Sequence, residues 1–209
     1  LHLNQLFEIL NTPPDKRPQG LSEELAAFPY VNGALFADRL GFPIFTSAMR
    51  DALMECTHFQ WGSISPAVFG SLFQGIMEPA ERRQQGAHYT SERDIMKVIR
   101  SLFLDELRAE FSTICADAST RQTARLKDFQ KKLGEMQLFD PACGCGNFLV
   151  LAYRELRQLE LELLQKLHGE EQKVLDVRTL LELDVDQFYG IEIGEWPCRI
   201  AEVALWLMD

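Results

Sequence analysis

The hydrophobic positions divide the chain into an irregular first part and a more regular second part. Up to about residue 85, short apolar clusters are separated by prolines and glycines, which limits regular elements to short helices between turns. One such helix is predicted over residues 66–73, with Ser65 as its N-cap and Pro66 near its start. We therefore expect residues 1–85 to form a mostly helical connector segment.

From Thr90 onward the apolar spacing becomes helical. The first predicted helix begins after Thr90 and Ser91, with acidic residues in its first turn. Its apolar face is formed by residues at intervals of three to four, namely Ile95, Met96, Ile99, Leu102, Phe103 and Leu107. A second, charged helix is predicted over about residues 119–136. Its apolar side consists of Leu126, Phe129 and Leu133.

The pattern then changes to a strand followed by a helix. Residues 137–140 are a short apolar strand candidate, and the turn over residues 141–147 is rich in glycine and small side chains. Helix-forming residues follow over 148–168 and end before Gly169. A strand, a glycine turn and a helix in this order predict the opening of an α/β unit.

The same alternation is repeated once. An acidic excursion over residues 170–186, which we predict to be helical, leads to a second strand candidate over 188–193. A second helix is predicted to start with Pro197. Strands that alternate with helices predict a parallel sheet with right-handed crossovers, so we expect an α/β fold. Two strands are too few to close such a domain.

Charge and composition narrow the function classes. The 209 residues carry a net charge of −10, which is the wrong sign for a chain whose whole surface binds DNA phosphates. No run of 18 apolar residues and no signal peptide is present, so we expect no membrane contact and a cytoplasmic location. The five cysteines are odd in number and none are spaced as C-x-x-C, which argues against disulfides and against a metal site.

The clearest chemical feature is a ten-residue segment around two glycines. It reads Asp140-Pro141-Ala142-Cys143-Gly144-Cys145-Gly146-Asn147-Phe148-Leu149. Gly144 and Gly146 allow the backbone to turn tightly after a strand and allow a ligand to approach without meeting a Cβ atom. A dinucleotide pattern would need glycine where Leu149 stands, and no P-loop lysine follows. A tight turn without a ligand stays open as an alternative.

Two further features are candidates for the same site. Glu192 ends the second strand candidate, where a carboxylate can accept both hydroxyls of a ribose, although surface acids at strand ends are ordinary. The loop Gly86-Ala87-His88-Tyr89-Thr90-Ser91 precedes a helix whose exposed amides can hold a carboxylate, or it only caps that helix.

These features together resemble the amino-methylating DNA methyltransferases. The segment 140–149 resembles their motif I, Asp-Pro-Ala-Cys-Gly-Ser-Gly-Asn-Phe-Leu, and departs from it only at Cys145. Glu192 resembles motif II, and the loop 86–91 resembles motif X of the group in which this motif precedes motif I. The segment from Tyr30 to Arg83 is similar to the region before the methyltransferase in fused type II restriction-modification enzymes.

The resemblance implies the N-terminal part of a Rossmann-like domain, over residues 86–209, that depends on S-adenosylmethionine (SAM). Its cofactor-binding residues are then Tyr89, Thr90, Asp140, Pro141, Ala142, Gly144, Gly146, Asn147, Phe148 and Glu192. The implied reaction is site-specific methyl transfer to N6 of adenine in DNA. Alternatives are a methyltransferase acting on RNA, protein or a small molecule, and a non-enzymatic SAM-binding module.

The residues that perform the transfer are expected outside the chain. In this family they form an (Asn/Asp)-Pro-Pro-(Tyr/Phe) tetrapeptide, which the sequence does not contain, so we predict no catalytic residue here. Because the chain begins at Leu1 and ends after an apolar helical run, we expect an inactive fragment of a longer polypeptide. Double-stranded DNA is then bound mostly by regions outside it, with a fused nuclease and a target-recognition domain as possible neighbours.

Two other candidates are rejected on position. Pro197-Cys198 superficially resembles the nucleophile of cytosine carbon-5 methyltransferases, yet it lies at the start of the helix after the second strand. A cysteine there is far more often a small buried hydrophobe. His88 has no identifiable acidic partner and is explained by its loop.

Overall fold

The chain is mostly helical and contains a small parallel sheet. The computed structural model describes residues 2–31, 36, 41, 45–60, 68, 90–169 and 177–208. The helix predicted over residues 66–73 lies outside the described residues except for Val68, which is helical.

In the described residues up to 60, the regular elements are short helices, as the prolines and glycines predict. They are α1 (His2–Leu10), a 3-10 turn (Pro14–Lys16), α2 (Glu23–Ala26) and α3 (Ser47–His58). The guanidinium of Arg17 donates hydrogen bonds to the carbonyls of Thr12 at 3.0 Å and Phe28 at 2.9 Å, which holds α1 and α2 together. Tyr30 then packs edge-on against Trp206, with 6.2 Å between ring centroids.

A long helical run follows, in which a π-helical segment separates two α-helices. The run comprises α4 (Glu92–Ile99), the π segment (Arg100–Leu104) and α5 (Asp105–Ala116). The hydroxyl of Ser91 accepts a hydrogen bond from the Asp94 amide at 3.2 Å, so the predicted start of this helix is confirmed.

The π segment shifts the apolar face. Ile99 and Leu104 are both buried and lie five residues apart, the same spacing as the π-helical hydrogen bond from the Asp105 amide to the Arg100 carbonyl. The prediction that Leu102 belongs to the buried face is therefore wrong, and its side chain is 69% exposed.

The next two helices agree with the sequence pattern. In α6 (Gln122–Glu135), Leu126, Phe129 and Leu133 are buried, as predicted. The long helix α7 (Asn147–His168) ends at Gly169, whose φ of +72° favours glycine. The buried side chains of α4 to α7 form one core, which includes Ile95, Leu107, Phe129, Leu133, Leu156 and Leu163.

Two three-residue strands form the sheet. Strands β1 (Leu138–Asp140) and β2 (Phe188–Gly190) are parallel, as predicted, and Asp140 is paired with Gly190. The chain then enters α8 (Glu195–Trp206), which packs on α7 and begins two residues before Pro197.

Two predictions about this region need correction. The described part of the excursion contains only the 3-10 helices Val177–Leu180 and Val185–Gln187, because side chains of α6 and α7 bind the backbone between them. Strand β2 ends at Gly190 and not at residue 193, because the chain turns after β1: the Ala142 amide bonds to the Asp140 side chain, and the Cys143 amide donates to the Ile191 carbonyl instead. Glu192 therefore lies in the loop after the strand.

The described helices give no sign of a membrane segment. Within the part of the chain that the structure describes, none is both long enough and apolar enough to cross a bilayer.

Candidate functional site

The glycine segment forms a tight turn between β1 and α7. One side-chain oxygen of Asp140 accepts a hydrogen bond from the Ala142 amide at 3.0 Å, and the Gly146 amide donates to the Cys143 carbonyl at 2.8 Å. Gly144 and Gly146 have φ angles of +55° and +77°, in the left-handed region. Both positions therefore require glycine for conformational reasons.

The two glycines differ in what surrounds them. A Cβ atom on Gly146 would lie 2.8 Å from the Cβ of Ala201, so this glycine allows α8 to pack against the start of α7. A Cβ atom on Gly144 would meet nothing within 4 Å and would project into open space. Of the two, Gly144 is the position that leaves bare backbone for a ligand.

Glu192 lies directly beside this turn. One carboxylate oxygen accepts a hydrogen bond from the Gly144 amide at 2.9 Å, and the other accepts from the Gly194 amide at 2.7 Å. The loop is held in place by a backbone pair: the Ile191 amide donates to the Asp140 carbonyl, and the Cys143 amide donates to the Ile191 carbonyl, each at 3.0 Å. The acid and the glycine turn, 48 residues apart, thus form one unit.

The thiols of the turn are held in their protonated form. Burial, followed by the negative charges of Asp140 and Glu192 and a smaller effect of Cys198, raises the pKa of Cys143 to about 11. Burial and the charge of Glu192 raise the pKa of Cys145 to about 11. Both side chains are neutral thiols near pH 7, which makes them poor nucleophiles.

The loop before α4 is described only at its end. Tyr89 lies outside the described residues, whereas Thr90 is exposed next to the N-cap Ser91. Glu92, in the first turn of α4, forms an ion pair with Arg154 of α7 at 2.8 Å. The start of α4 is therefore tied to the same helix that the glycine turn opens.

The remaining predicted residues lie on the turn or at the start of α7. Pro141 and Ala142 are exposed, while Asn147 and Phe148 open α7 and are half-buried. Phe148 also faces a groove of about 370 Å³ between α4, the π segment and the edge of β1. Apart from Asp140, the residues that line this groove are apolar.

Comparison with known proteins assigns a family to the part of the chain that contains this site. Residues 116–209 match the family described as MmeI, DNA-methyltransferase domain. The match includes the glycine turn, Glu192 and both strands. Residues 116–209 belong to the MmeI DNA-methyltransferase domain family. The resemblance to DNA methyltransferases is thereby confirmed.

A solved structure supports this assignment over the whole chain. It is described as the type IIL restriction-modification enzyme MmeI in complex with DNA, and it matches with a TM-score of 0.84 and 54% sequence identity. The match covers 100% of this chain and 27% of that one. The mostly helical fold with a small parallel sheet is thus part of an MmeI-type structure.

Two curated proteins are also similar. DNA methyltransferase A of Bacillus subtilis (strain 168) is 37% identical over 210 residues, which cover 100% of this chain and 23% of that protein. A putative type II restriction enzyme and methyltransferase of Methanocaldococcus jannaschii is 26% identical over 253 residues. This match covers 99% of this chain and 21% of that protein. The chain therefore spans about a quarter of the length of the curated relatives it matches.

Three residues that bear on the packing or surroundings of the site were not identified from the sequence of this MmeI-type domain. Ala201, which accommodates Gly146, belongs to the buried side of α8 together with Ala204, and small residues three apart were the available signal. Ile193 directly follows the acid and has a fully exposed side chain. Glu160 is buried although charged, and its position on the apolar face of α7 was visible in the spacing.

Proposed function

We propose that this chain is the cofactor-binding part of a DNA methyltransferase that transfers a methyl group from SAM to N6 of adenine. The observation that carries the proposal is the hydrogen bond between the Glu192 carboxylate and the Gly144 amide, across the ends of two parallel strands. The carboxyl end of a parallel sheet is where open α/β proteins bind nucleosides. We further propose that the parent protein is a restriction-modification enzyme, as its relatives' names indicate.

The residues of the site fit a nucleoside. Each oxygen of Glu192 accepts one amide hydrogen bond, and a carboxylate has about four acceptor positions, so two remain for the hydroxyls of a ribose. The amides of Gly144 and Gly194 fix the carboxylate before any ligand binds. Ile193, exposed beside it, offers an apolar surface for the adenine of the cofactor.

The glycine turn fits the sulfonium part of the cofactor. When bound, SAM supplies an electrophilic methyl group on a positively charged sulfur. Gly144 offers bare main chain on the open side of the turn, and Asp140 and Glu192 provide nearby negative charge. We place Pro141, Ala142, Gly146, Asn147 and Phe148 in the walls and support of this site, with Tyr89 and Thr90 at the methionine end.

The protonated cysteines are compatible with this cofactor. A thiolate next to an electrophilic methyl group would be alkylated, because the thiolate is the nucleophilic form of cysteine. The raised pKa values of Cys143 and Cys145, about 11 in each case, keep both sulfurs uncharged. Cysteine in place of serine at position 145 is therefore tolerated.

The groups that act on the substrate base are proposed to lie outside the 209 residues. The chain lacks the (Asn/Asp)-Pro-Pro-(Tyr/Phe) tetrapeptide that orients the amino group in the resembling family. An adenine in duplex DNA has to leave the base stack to reach the cofactor, at a cost of a few kcal/mol. The net charge of −10 is consistent with DNA binding elsewhere.

The proposal is tested by calorimetric titration of S-adenosylhomocysteine into a polypeptide that contains this chain. We expect Glu192→Ala to weaken binding by about 10- to 150-fold, which corresponds to the loss of charged hydrogen bonds worth about 1.5–3 kcal/mol. Glu202→Ala, on the exposed side of α8, is the control and should bind like the unmodified protein. Unchanged affinity of the Glu192 variant would contradict the ribose role.

A further inference from the structure

A buried carboxylate lies in α7, away from the glycine turn. Glu160 has no exposed surface and is surrounded by the buried side chains of Leu156, Leu159 and Leu163. Burying a charged group is unfavourable unless it is fully hydrogen-bonded, so the partners of Glu160 indicate what it does.

Those partners come from three parts of the chain. The amides of Glu182 and Leu183, in the segment that leads to β2, donate to the carboxylate at 2.6 Å and 3.3 Å. Gln130 of α6 donates its side-chain amide at 3.1 Å, and Arg157 of α7 donates at 3.1 Å. Glu160 thus joins α6, α7 and the backbone before β2 in one buried network.

A second buried polar side chain holds the other end of that segment. The side-chain amide of Gln187 donates to the carbonyls of Leu133 at 2.9 Å and Met136 at 2.7 Å, at the end of α6. Its oxygen accepts from the Asp184 amide at 2.7 Å. The segment from residue 182 to residue 187 is therefore held at both ends by buried hydrogen bonds.

The network continues into β2 itself. Arg157 lies over the ring of Tyr153, 5.0 Å from its centroid, and also donates to the Tyr153 hydroxyl. Tyr153 in turn packs edge-on against Phe188, the first residue of β2, with 5.2 Å between centroids. The side chains around Glu160 thus contact the first residue of β2.

The start of β2 matters because the strands are short. Each has three residues, and a slip of one residue would turn every side chain of β2 to the opposite face. Glu192 contacts the Gly144 amide only in the register that pairs Asp140 with Gly190. So few ladder bonds specify this register weakly, so contacts outside the ladder can decide it.

We propose that Glu160 is a positioning residue for Glu192: through the Glu182 and Leu183 amides it fixes the register of β2 and so the place of the ribose acceptor. This inference rests on the proposed ribose role of Glu192. A residue with a purely structural role would change the stability of the protein or its affinity for every ligand alike. A positioning residue changes the discrimination between ligands that differ only in the ribose.

The test compares S-adenosylhomocysteine with its 2′-deoxyribose analogue, titrated into a polypeptide that contains this chain. The unmodified protein should prefer the ribose form by about tenfold, the loss expected for one hydrogen bond to a charged group. In Glu160→Gln an amide NH₂ replaces one acceptor oxygen, and the preference should fall to about threefold or less. Glu162→Gln is the matched control on the same helix, since its side chain contacts Arg108 and Gln158, and it should keep the full preference.

A second variant covers the case in which Glu160→Gln does not fold. Gln130→Leu removes one donor to Glu160 and one bond to the Leu180 carbonyl, and it should also reduce the preference. A folded variant of either kind that keeps the tenfold preference overturns the inference, provided that Glu192→Ala has lost it. If the unmodified protein binds both ligands equally, the ribose role of Glu192 fails, and the positioning role fails with it.

Discussion

Cys143 and Cys145 lie beside the proposed methyl site, yet both should react slowly with alkylating reagents. Because their pKa is raised from 9.0 to about 11, the thiolate fraction at pH 8 falls by about a hundredfold. We expect iodoacetamide at pH 8 to modify the exposed Cys56 first. Peptide mass spectrometry after timed quenching measures the three rates.

The rate at which Cys143 and Cys145 are alkylated should rise with pH over a range that their raised pKa values determine. A raised pKa means that the folded protein retains the thiol proton above pH 9, so alkylation of Cys143 and Cys145 should keep accelerating up to about pH 11. In urea, where the turn is unfolded, the rates should level off near pH 9. Equal rates for all three cysteines in the folded protein at pH 8 would contradict the protected environment of the turn.

The sequence was enough to choose the residues of the site, but not to predict the hydrogen bonds between them. The two glycines and Glu192 could be chosen from the sequence because the glycines follow one strand candidate and Glu192 lies at the end of the other. The hydrogen bond from the Gly144 amide to Glu192 could not be predicted, since it joins residues 48 positions apart and depends on the register of the two strands. Glu160 was missed because a charged residue within a helical run is usually solvated.

At the scale of elements, the long helices followed the sequence pattern best. The periodicity of α6 and the run of helix-forming residues in α7 extend over several turns, so the bounds of both helices and the buried face of α6 agree with prediction. The π segment was not predictable. The apolar residues between Ile99 and Leu107 fit an α-helix as well as they fit a helix with one π-helical step between Ile99 and Leu104. The strands were predicted too long, since backbone hydrogen bonds and not side-chain pattern determine where they end.

The contact between the glycine turn and α8 gives a prediction at this scale. Gly146→Ala places a methyl group 2.8 Å from the Cβ of Ala201 and forces a non-glycine residue to φ +77°, so overpacking and strain should lower the free energy of unfolding by about 2–4 kcal/mol. Gly144→Ala is the control. Position 144 has a similar left-handed φ, but a Cβ atom there would project into open space. We therefore expect this variant to lower the free energy of unfolding by only about 1 kcal/mol.

A second substitution separates packing from strain. Ala201→Gly removes the Cβ that the new methyl group would meet, so the double variant Gly146→Ala, Ala201→Gly should recover part of the loss. Urea unfolding followed by circular dichroism measures the free energy of unfolding of the unmodified protein and of each variant. If Gly146→Ala and Gly144→Ala lose the same stability, the close approach of α8 is not what requires glycine at position 146.

At the scale of the whole molecule, the sheet exposes apolar surface that a complete α/β domain would bury. Phe139, Tyr189 and Ile191, on β1, β2 and the loop after β2, are 60%, 49% and 55% exposed, and the groove at the edge of β1 is apolar. Parallel sheets normally have both faces covered. The curated relatives are more than four times as long as this chain, and we propose that further strands and helices of the parent protein cover these residues.

Methyl transfer should therefore depend on polypeptide beyond the 209 residues. With DNA and SAM carrying a labelled methyl group, the chain alone should give no incorporation above background, because it lacks the tetrapeptide that orients the amino group and carries a net charge of −10. A longer polypeptide that adds this tetrapeptide and the DNA-binding region should incorporate label, and nucleoside analysis of the product should find N6-methyladenine. Incorporation by the 209 residues would overturn the division of roles proposed here. Label on cytosine, RNA or protein would contradict the proposed adenine substrate but not the proposed cofactor site, since the glycine turn and Glu192 are proposed to bind only the methyl donor.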